Sequence, residues 1–393
     1  LAWRKATLYK KSLKAGVFHS KISNMSSKEI AAKILDAAGI PLNSAEPWSI
    51  HVHNEKLWDR VISQKQLGFA EGYIEGWWDC QALDVALTKL LSINVLQLLK
   101  PSPALALHVT KSYLLNNQSK RRAAENAKHH YNIGNDLYSR MLDPEMVYSC
   151  GYWVNADSLE EAQLAKFDLI CRKLELKPGM RLLDIGSGWG GFLRYAVKNY
   201  QVEATGISPA DNQISLARQK SEGMGITFIQ QDYRDLSGEF DRIVSIGMME
   251  HVGPKNYRTF FEKCDSLLAP GGRMLHHTIS SNVTKQVTDP FFDRYIFPGG
   301  VLPSLSQIAS AVENRFIIED VHNFGPDYDR TLIEWYKNIS TRWAEIPHYD
   351  ERFRRMWDYY LLSSAAGFRA GHLQLLQCVF QRISERPTYI TAR

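Results

Sequence analysis

Residues 180–191 read MRLLDIGSGWGG, and the order of the parts within them decides the fold. Leu182, Leu183 and Ile185 belong to an apolar run of strand length. Glycines crowd the next positions, and "GFLRYAVKNY" (191–200) then places apolar residues at helical spacing. A strand that turns through glycine into a helix opens an α/β unit, and its turn lets backbone approach a bound molecule while helix amides point at it. The alternation continues downstream. "VEATGIS", "ITFIQQD", "DRIVSIGMM" and "RMLHHTIS" read as strands, separated by the amphipathic "DNQISLARQKSEG" and "NYRTFFEKCDSLL". Such alternation predicts a parallel sheet with helices on both faces and a ligand outside the carboxyl ends of the strands. It sets DIGSGWGG (184–191), Ser208, Asp232 and MMEH (248–251) along one rim.

Two checks exclude a dinucleotide at that rim. The glycine spacing is GxGxGG rather than GxGxxG, and no acid ends the second strand to hold a ribose. Ser208 stands there instead, with Gln213 five residues on. S-adenosylmethionine asks for less: a close backbone for its methionine part, polar groups for the ribose, and an acceptor for the adenine amine. Asp232, after the third strand, suits the last role.

The 393 residues are enough for two domains, and 45% hydrophobic with 23% charged residues is an ordinary globular balance that excludes disorder. No apolar run reaches the roughly 18 residues of a membrane helix. Cys80, Cys150, Cys171, Cys264 and Cys378 are scattered without a CxxC pair, which argues for a reducing cytoplasm and against a disulfide framework or a metal site. The net charge of +5 is local. Arg4, Lys5, Lys10, Lys11, Lys14, Lys21 and Lys28 precede the first acid, and without them 40 basic residues face 42 acidic ones, a balance of −2 that gives no footing for nucleic acid. Residues 1–24 lack the apolar core of a secretory signal, and Met25 precedes a helix-like "SSKEIAAKILDAAGI". They are read as a basic extension or remnant ahead of the natural start, a membrane-touching tail being the alternative. Residues 25–100 read as a smaller, mainly helical domain around the short strand "SIHVH", with Trp77 and Trp78 as core. Residues 101–128 are a polar, cationic linker, and 129–393 form the catalytic domain.

Together these stretches resemble the bacterial cyclopropane-fatty-acyl-phospholipid synthases, relatives of the mycolic acid cyclopropane synthases. The resemblance rests on "EGYIEGWWDC", "HHYNIGNDLYSRMLDPEMVYSCGYW", "QDYRDL", "MMEHVGPKNY", "RYIFPGG", "HNFGPDYDRTL" and "GFRAGHLQLLQ", and runs from about residue 28 to the end. It implies a class I S-adenosylmethionine-dependent methyltransferase, Rossmann-like, with a mostly parallel seven-stranded sheet and an N-terminal domain that engages lipid. It implies further a cytoplasmic homodimer bound peripherally to the inner face of the membrane, which adds a methylene to cis-unsaturated acyl chains of phospholipids.

Position by position, the resemblance assigns Tyr148, Ser149, Asp184, Gly186, Ser187, Gly188, Gly190, Ser208, Gln213, Asp232 and Tyr233 to the cofactor. Bicarbonate is implied as the base, held by Cys150, Glu250, His277, the backbone of Ile279, and Tyr328: tyrosine and histidine donate, and glutamate takes the anion's own proton. Met248 and Met249 then read as apolar wall, and Tyr131 with Tyr295 or Phe297 as aromatic faces toward developing positive charge. Without the resemblance His277 would read as a satisfied core histidine and Cys150 as an inert thiol. Ser364 occupies a position where many relatives carry cysteine; a serine with no adjacent base is a poor nucleophile, so it is read as packing near the site and not essential. Two rivals are an N-methyltransferase for small amines, which needs neither cage nor lipid domain, and a non-enzymatic lipid or cofactor binder. The product, cyclopropane or methyl-branched, stays open, as do headgroup and double-bond preference.

Overall fold

A computed structural model describes residues 26–93, 133–384 and 388–393. The basic extension, the linker with Lys120, Arg121 and Arg122, and Tyr131 lie outside the described residues. The chain divides into two compact units, Leu1–Ser102 and Pro103–Arg393.

In the first unit, Ser26 caps helix Ser27–Ala37 through a reciprocal capping box with Glu29. Strands β1 (His51–Val52) and β2 (Trp78–Asp79) pair antiparallel, and between them run helices Leu57–Gln64 and Gln66–Ile74, broken by Lys65 at φ 55°. The tandem tryptophans divide. Trp78 is fully buried, stacks on Phe69 and donates its indole N–H to the Phe69 carbonyl. Trp77 is only half-buried and lies under the Arg60 guanidinium, which also pairs with Glu75.

The second unit is built on seven strands: β3 (Arg181–Ile185), β4 (Glu203–Ser208), β5 (Thr227–Gln230), β6 (Phe240–Ile246), β7 (Leu268–Ser281), β8 (Phe316–Asn323) and β9 (Leu373–Arg382). Their order is β5-β4-β3-β6-β7-β9-β8. The first five are mutually parallel, and β9 runs antiparallel between β7 and β8. Successive residues serve opposite faces. Leu183, Ile243 and Met274 pack beneath helices Tyr257–Leu267 and Leu305–Val312; Leu182, Val244 and Leu275 pack beneath Leu159–Lys173, Gly191–Tyr200 and Asp211–Lys220. Both faces are therefore covered, which is why β3 and β6 read as continuous apolar runs rather than alternating ones. Among the described residues no helix is long and apolar enough to cross a membrane.

One boundary differs from the sequence reading. "DRIVSIGMM" does not stay extended to its end: β6 stops at Ile246, Gly247 turns at φ 65°, and Met249–Val252 forms a short helical turn. The two methionines consequently part. Met249 is fully buried in the core with Phe260 and Phe261, whereas Met248 is only partly buried and packs over Gly186.

Candidate active site

β3 ends at the glycine turn, and a cavity of about 190 Å³ opens above it. Tyr148, Ser149, Asp184, Gly186, Ser187, Gly188, Ser208, Gln213, Asp232 and Tyr233 all line this one cavity. Gly190 does not: it adopts φ 81° at the start of helix Gly191–Tyr200, where a Cβ would meet the Phe228 ring at 2.7 Å, so packing leaves no room for a side chain there. Gly188, at φ 53°, faces space in which a Cβ would meet nothing within 4 Å.

Two polar atoms at the lining are buried without a hydrogen-bond partner, Asp184 Oδ1 and Ser187 Oγ. Burial raises the Asp184 carboxyl to about 7. Orphaned acceptors are rare in folded proteins, and these two fit a ligand that brings donors, as the ammonium of a methionine moiety does. Across the cavity, Ser208 Oγ donates to Gln213 Oε1 at 3.3 Å, making a polar ledge at the end of β4. Asp232 is held by Arg234, whose Nε and Nη2 donate to its two oxygens at 2.8 and 2.6 Å. Arg234 also lines the cavity, as do Met248, His251 and Phe297. Phe297 is thus the aromatic of "RYIFPGG" at the cavity; Tyr295 packs against Phe291 and under Arg352 instead.

Cys150, Glu250, His277, Ile279 and Tyr328 line none of this cavity; all but the partly exposed Ile279 are buried outside it. β7 outruns β6 here, since Ile246 pairs with His277 and the strand continues to Ser281. That overhang frees the Ile279 amide, which donates to Glu250 Oε1 at 2.7 Å. The amide expected to face an anion is therefore occupied by the glutamate. Glu250 Oε2 has no partner, and burial lifts the carboxyl to about 7 despite the Ile279 amide and Thr278 hydroxyl that favour its charged form. His277 bonds through Nδ1 to Gln377 at 3.2 Å, while its Nε2 is buried and unpartnered. Burial, with Lys166 beyond it, holds the imidazole neutral. With Gln377 donating, as assigned from the hydrogen-bond pattern, Nε2 carries the proton and is a donor. Burial also pushes the Tyr328 phenol and Cys150 thiol well up, so both are protonated at neutral pH. Tyr328 is perturbed by Tyr360, Cys150 and Glu250, which makes them its neighbours. The Cys150 thiol lies 3.9 Å from Thr331 Oγ1.

Aromatic rings surround these groups. Tyr328 packs on Phe368 and Trp335, Trp335 on Tyr148, and the Tyr148 hydroxyl lies 2.7 Å from that of Tyr360. Ser364 is buried on helix Glu351–Arg369, one turn from Tyr360 and one from Phe368, on their face of the helix. Ser364→Ala is accordingly expected to keep turnover within a few-fold of the parent, and Ser364→Cys to give no large gain; steady-state rates check this, and a thousand-fold rise with the thiol would show a covalent role.

The sequence reading missed Lys166, Arg234 and Tyr360. Lys166 sits in an amphipathic helix where a lysine ordinarily marks the solvent face, yet it is fully buried and lines the cavity. Arg234 carried a signal, two residues after the chosen acid. Tyr360 had none beyond the aromatic density of "WDYYLL".

Known proteins similar to this chain share its family and its fold. Residues 118–378 match the family model described as mycolic acid cyclopropane synthetase. The chain is 49% identical over 354 residues to cyclopropane-fatty-acyl-phospholipid synthase of Escherichia coli (strain K12), covering 90% of this chain and 93% of that one. The crystal structure of mycolic acid cyclopropane synthase CmaA1 complexed with SAH and CTAB superposes with TM-score 0.62 at 32% identity, covering 66% of this chain and 98% of that one. Coclaurine N-methyltransferase, at 18% identity and TM-score 0.63, covers 80% of this chain and 99% of that one, and shares the fold.

Proposed function

The chain belongs to the mycolic acid cyclopropane synthetase family and is an S-adenosylmethionine-dependent methyltransferase; on that footing we propose that it adds a methylene across the cis double bond of unsaturated acyl chains in membrane phospholipids, giving cyclopropane chains. The likeness to the Escherichia coli synthase, which runs through both units, supports the phospholipid substrate over a free small molecule. The observation that carries the chemistry is the buried, unpartnered Glu250 Oε2 beside protonated Tyr328, with a second buried, unpartnered atom, His277 Nε2, on the residue two before the Ile279 amide that Glu250 accepts from.

The cofactor supplies an electrophilic methyl group on a sulfonium. An alkene is a poor nucleophile, so the chain's contribution is alignment and exclusion of water, which the aromatic shell of Tyr148, Trp335, Tyr328, Tyr360 and Phe368 provides. Positive charge left on the acyl chain as the methyl group is transferred would be stabilised by those ring faces. Ring closure then requires one proton to leave the transferred methyl. Glu250 and His277 are suited to hold a small oxyanion that accepts it, bicarbonate being the proposed species: His277 Nε2–H and Tyr328 O–H would donate to it, and Glu250 Oε2 would accept the anion's own proton. A protein carboxylate placed directly against the cation could collapse onto it as an ester, and a held anion avoids that.

Acyl chains lie within a bilayer, so the proposed access is peripheral, from the cytoplasmic face, by a homodimer. The competing reading, N-methylation of a small amine, gives no use to the buried Glu250–His277 pair. Mass spectrometry of lipids from cells expressing the protein separates the two: a gain of one CH₂ per monounsaturated chain is expected, and an unchanged lipid profile overturns the proposal.

A further inference from the structure

Lys166 is the outlier of the catalytic unit. Its side chain is fully inaccessible and it lines the cavity, yet both hydrogen-bond partners of its Nζ are neutral. Nζ donates to Ser149 Oγ at 2.8 Å and to Gln163 Oε1 at 2.7 Å. Gln163, one turn earlier on helix Leu159–Lys173 and equally buried, donates from Nε2 to the Ser149 carbonyl at 2.8 Å. Both oxygens of Ser149 are therefore gripped from one helix face. No carboxylate of the described residues forms an ion pair with Lys166; Asp143 and Asp184 act on it only at longer range. Burial lowers the Lys166 amine to about 7 although Asp143 and Asp184 favour its charged form, so an anion bound beside it would restore the ammonium.

The polarity of the contacts says how the anion is met. A lysine ammonium has three donors and no acceptor, so Ser149 Oγ must accept from it. The hydroxyl proton of Ser149 is then left to donate, and Ser149 lines the cavity. Opposite in character stands Asp184, whose unpartnered Oδ1 offers an acceptor in the same cavity. A cationic donor set and an acidic acceptor in one pocket match the zwitterionic end of an amino acid.

We propose that Lys166 is a positioning residue that fixes Ser149 as a donor to the α-carboxylate of the cofactor's methionine moiety and supplies the countercharge for it. The inference rests on the cofactor reading above and names the residues that select an intact amino-acid tail over a truncated one. Gln163 holds the Ser149 backbone so that the hydroxyl keeps its direction.

Calorimetric titration with S-adenosylhomocysteine and with its analogue lacking the α-carboxylate (S-adenosyl-3-thiopropylamine) tests this without turnover. The full-length parent is expected to bind the intact ligand more tightly than the analogue by roughly tenfold or more, the usual scale for a hydrogen bond to a charged group. Lys166→Met, which keeps the volume of the side chain, should lose most of that discrimination by weakening the intact ligand alone. Should Lys166→Met not fold, Ser149→Ala reads the same discrimination with the lysine in place. A loss of affinity equal for both ligands, or discrimination unchanged in a folded variant, overturns the assignment of Lys166. A parent protein that binds neither ligand overturns the cofactor reading beneath it.

Discussion

Gly188→Val is expected to weaken cofactor affinity by roughly 10- to 100-fold, the scale of forcing extra methyl groups into a filled site. Two effects meet at this position. The backbone sits at φ 53°, where a β-branched residue is strained. The added side chain would also project into space empty of protein atoms at the lining of the cavity, the space a ligand needs. The strain, of about 1–3 kcal/mol, lowers stability whether or not anything binds. Gly223→Val separates the two effects. Gly223 is exposed, has φ 77°, and lies outside the cavity, so the variant should lose a similar amount in melting temperature and keep its affinity. Calorimetry showing unchanged affinity in folded Gly188→Val would contradict the assignment of the loop.

Glu250→Ala is expected to cut kcat by roughly a hundred- to a thousand-fold, the measured range for loss of one well-placed electrostatic contact, while cofactor affinity stays within a few-fold. Glu250 does not line the cofactor cavity, so its removal leaves that surface intact. It does free the Ile279 amide. Tyr328→Phe removes one donor and keeps the ring that packs on Phe368, so the same split is expected with a smaller loss. An interaction made mainly at the reacting stage lowers kcat and kcat/KM together. Depleting bicarbonate should slow the parent protein and affect Glu250→Ala less, because the variant has already lost the group proposed to hold the anion. Equal loss of cofactor affinity and turnover in Glu250→Ala would place the residue in cofactor binding instead.

The parts of the fold that were legible are those where burial on both faces writes itself as apolar runs. β3 to β7 and the glycine turn follow from that pattern. β8 and β9 do not, and the expectation of these two further strands came only from resemblance. β9 is central yet carries Gln377 and Gln381, both fully buried, at positions where an apolar residue would have announced a strand. Gln377 is spent on His277 across the β7 pairing, so the signal was lost because a site residue needed a polar neighbour. β8 is interrupted by an irregularity between Ile318 and Asp320, which breaks its alternation.

The site divides similarly. Residues on strand ends were legible, because the five parallel strands place their carboxyl ends on one rim. Lys166 and Lys173 were not: they lie seven residues apart on one helix and both are fully buried, the second paired with Asp320 at 3.0 Å. Helical spacing shows that two lysines share a face but not that the face is inward. The aromatic shell was half-read for the same reason. Tyr148 and Tyr328 stand in distinctive motifs, whereas Tyr360 and Phe368 are conspicuous only once helix Glu351–Arg369 is seen against them.

The central claim is that this cavity and the groups beside it move a one-carbon unit onto a lipid alkene. The most direct test gives purified protein S-adenosylmethionine labelled in its methyl carbon, together with vesicles of dioleoyl phospholipid, in bicarbonate-containing buffer. The account predicts phospholipids that gain one labelled CH₂ per converted chain, with one S-adenosylhomocysteine formed for each. Consumption of cofactor with no label in the lipid, or label on an added amine in place of the acyl chains, would contradict it.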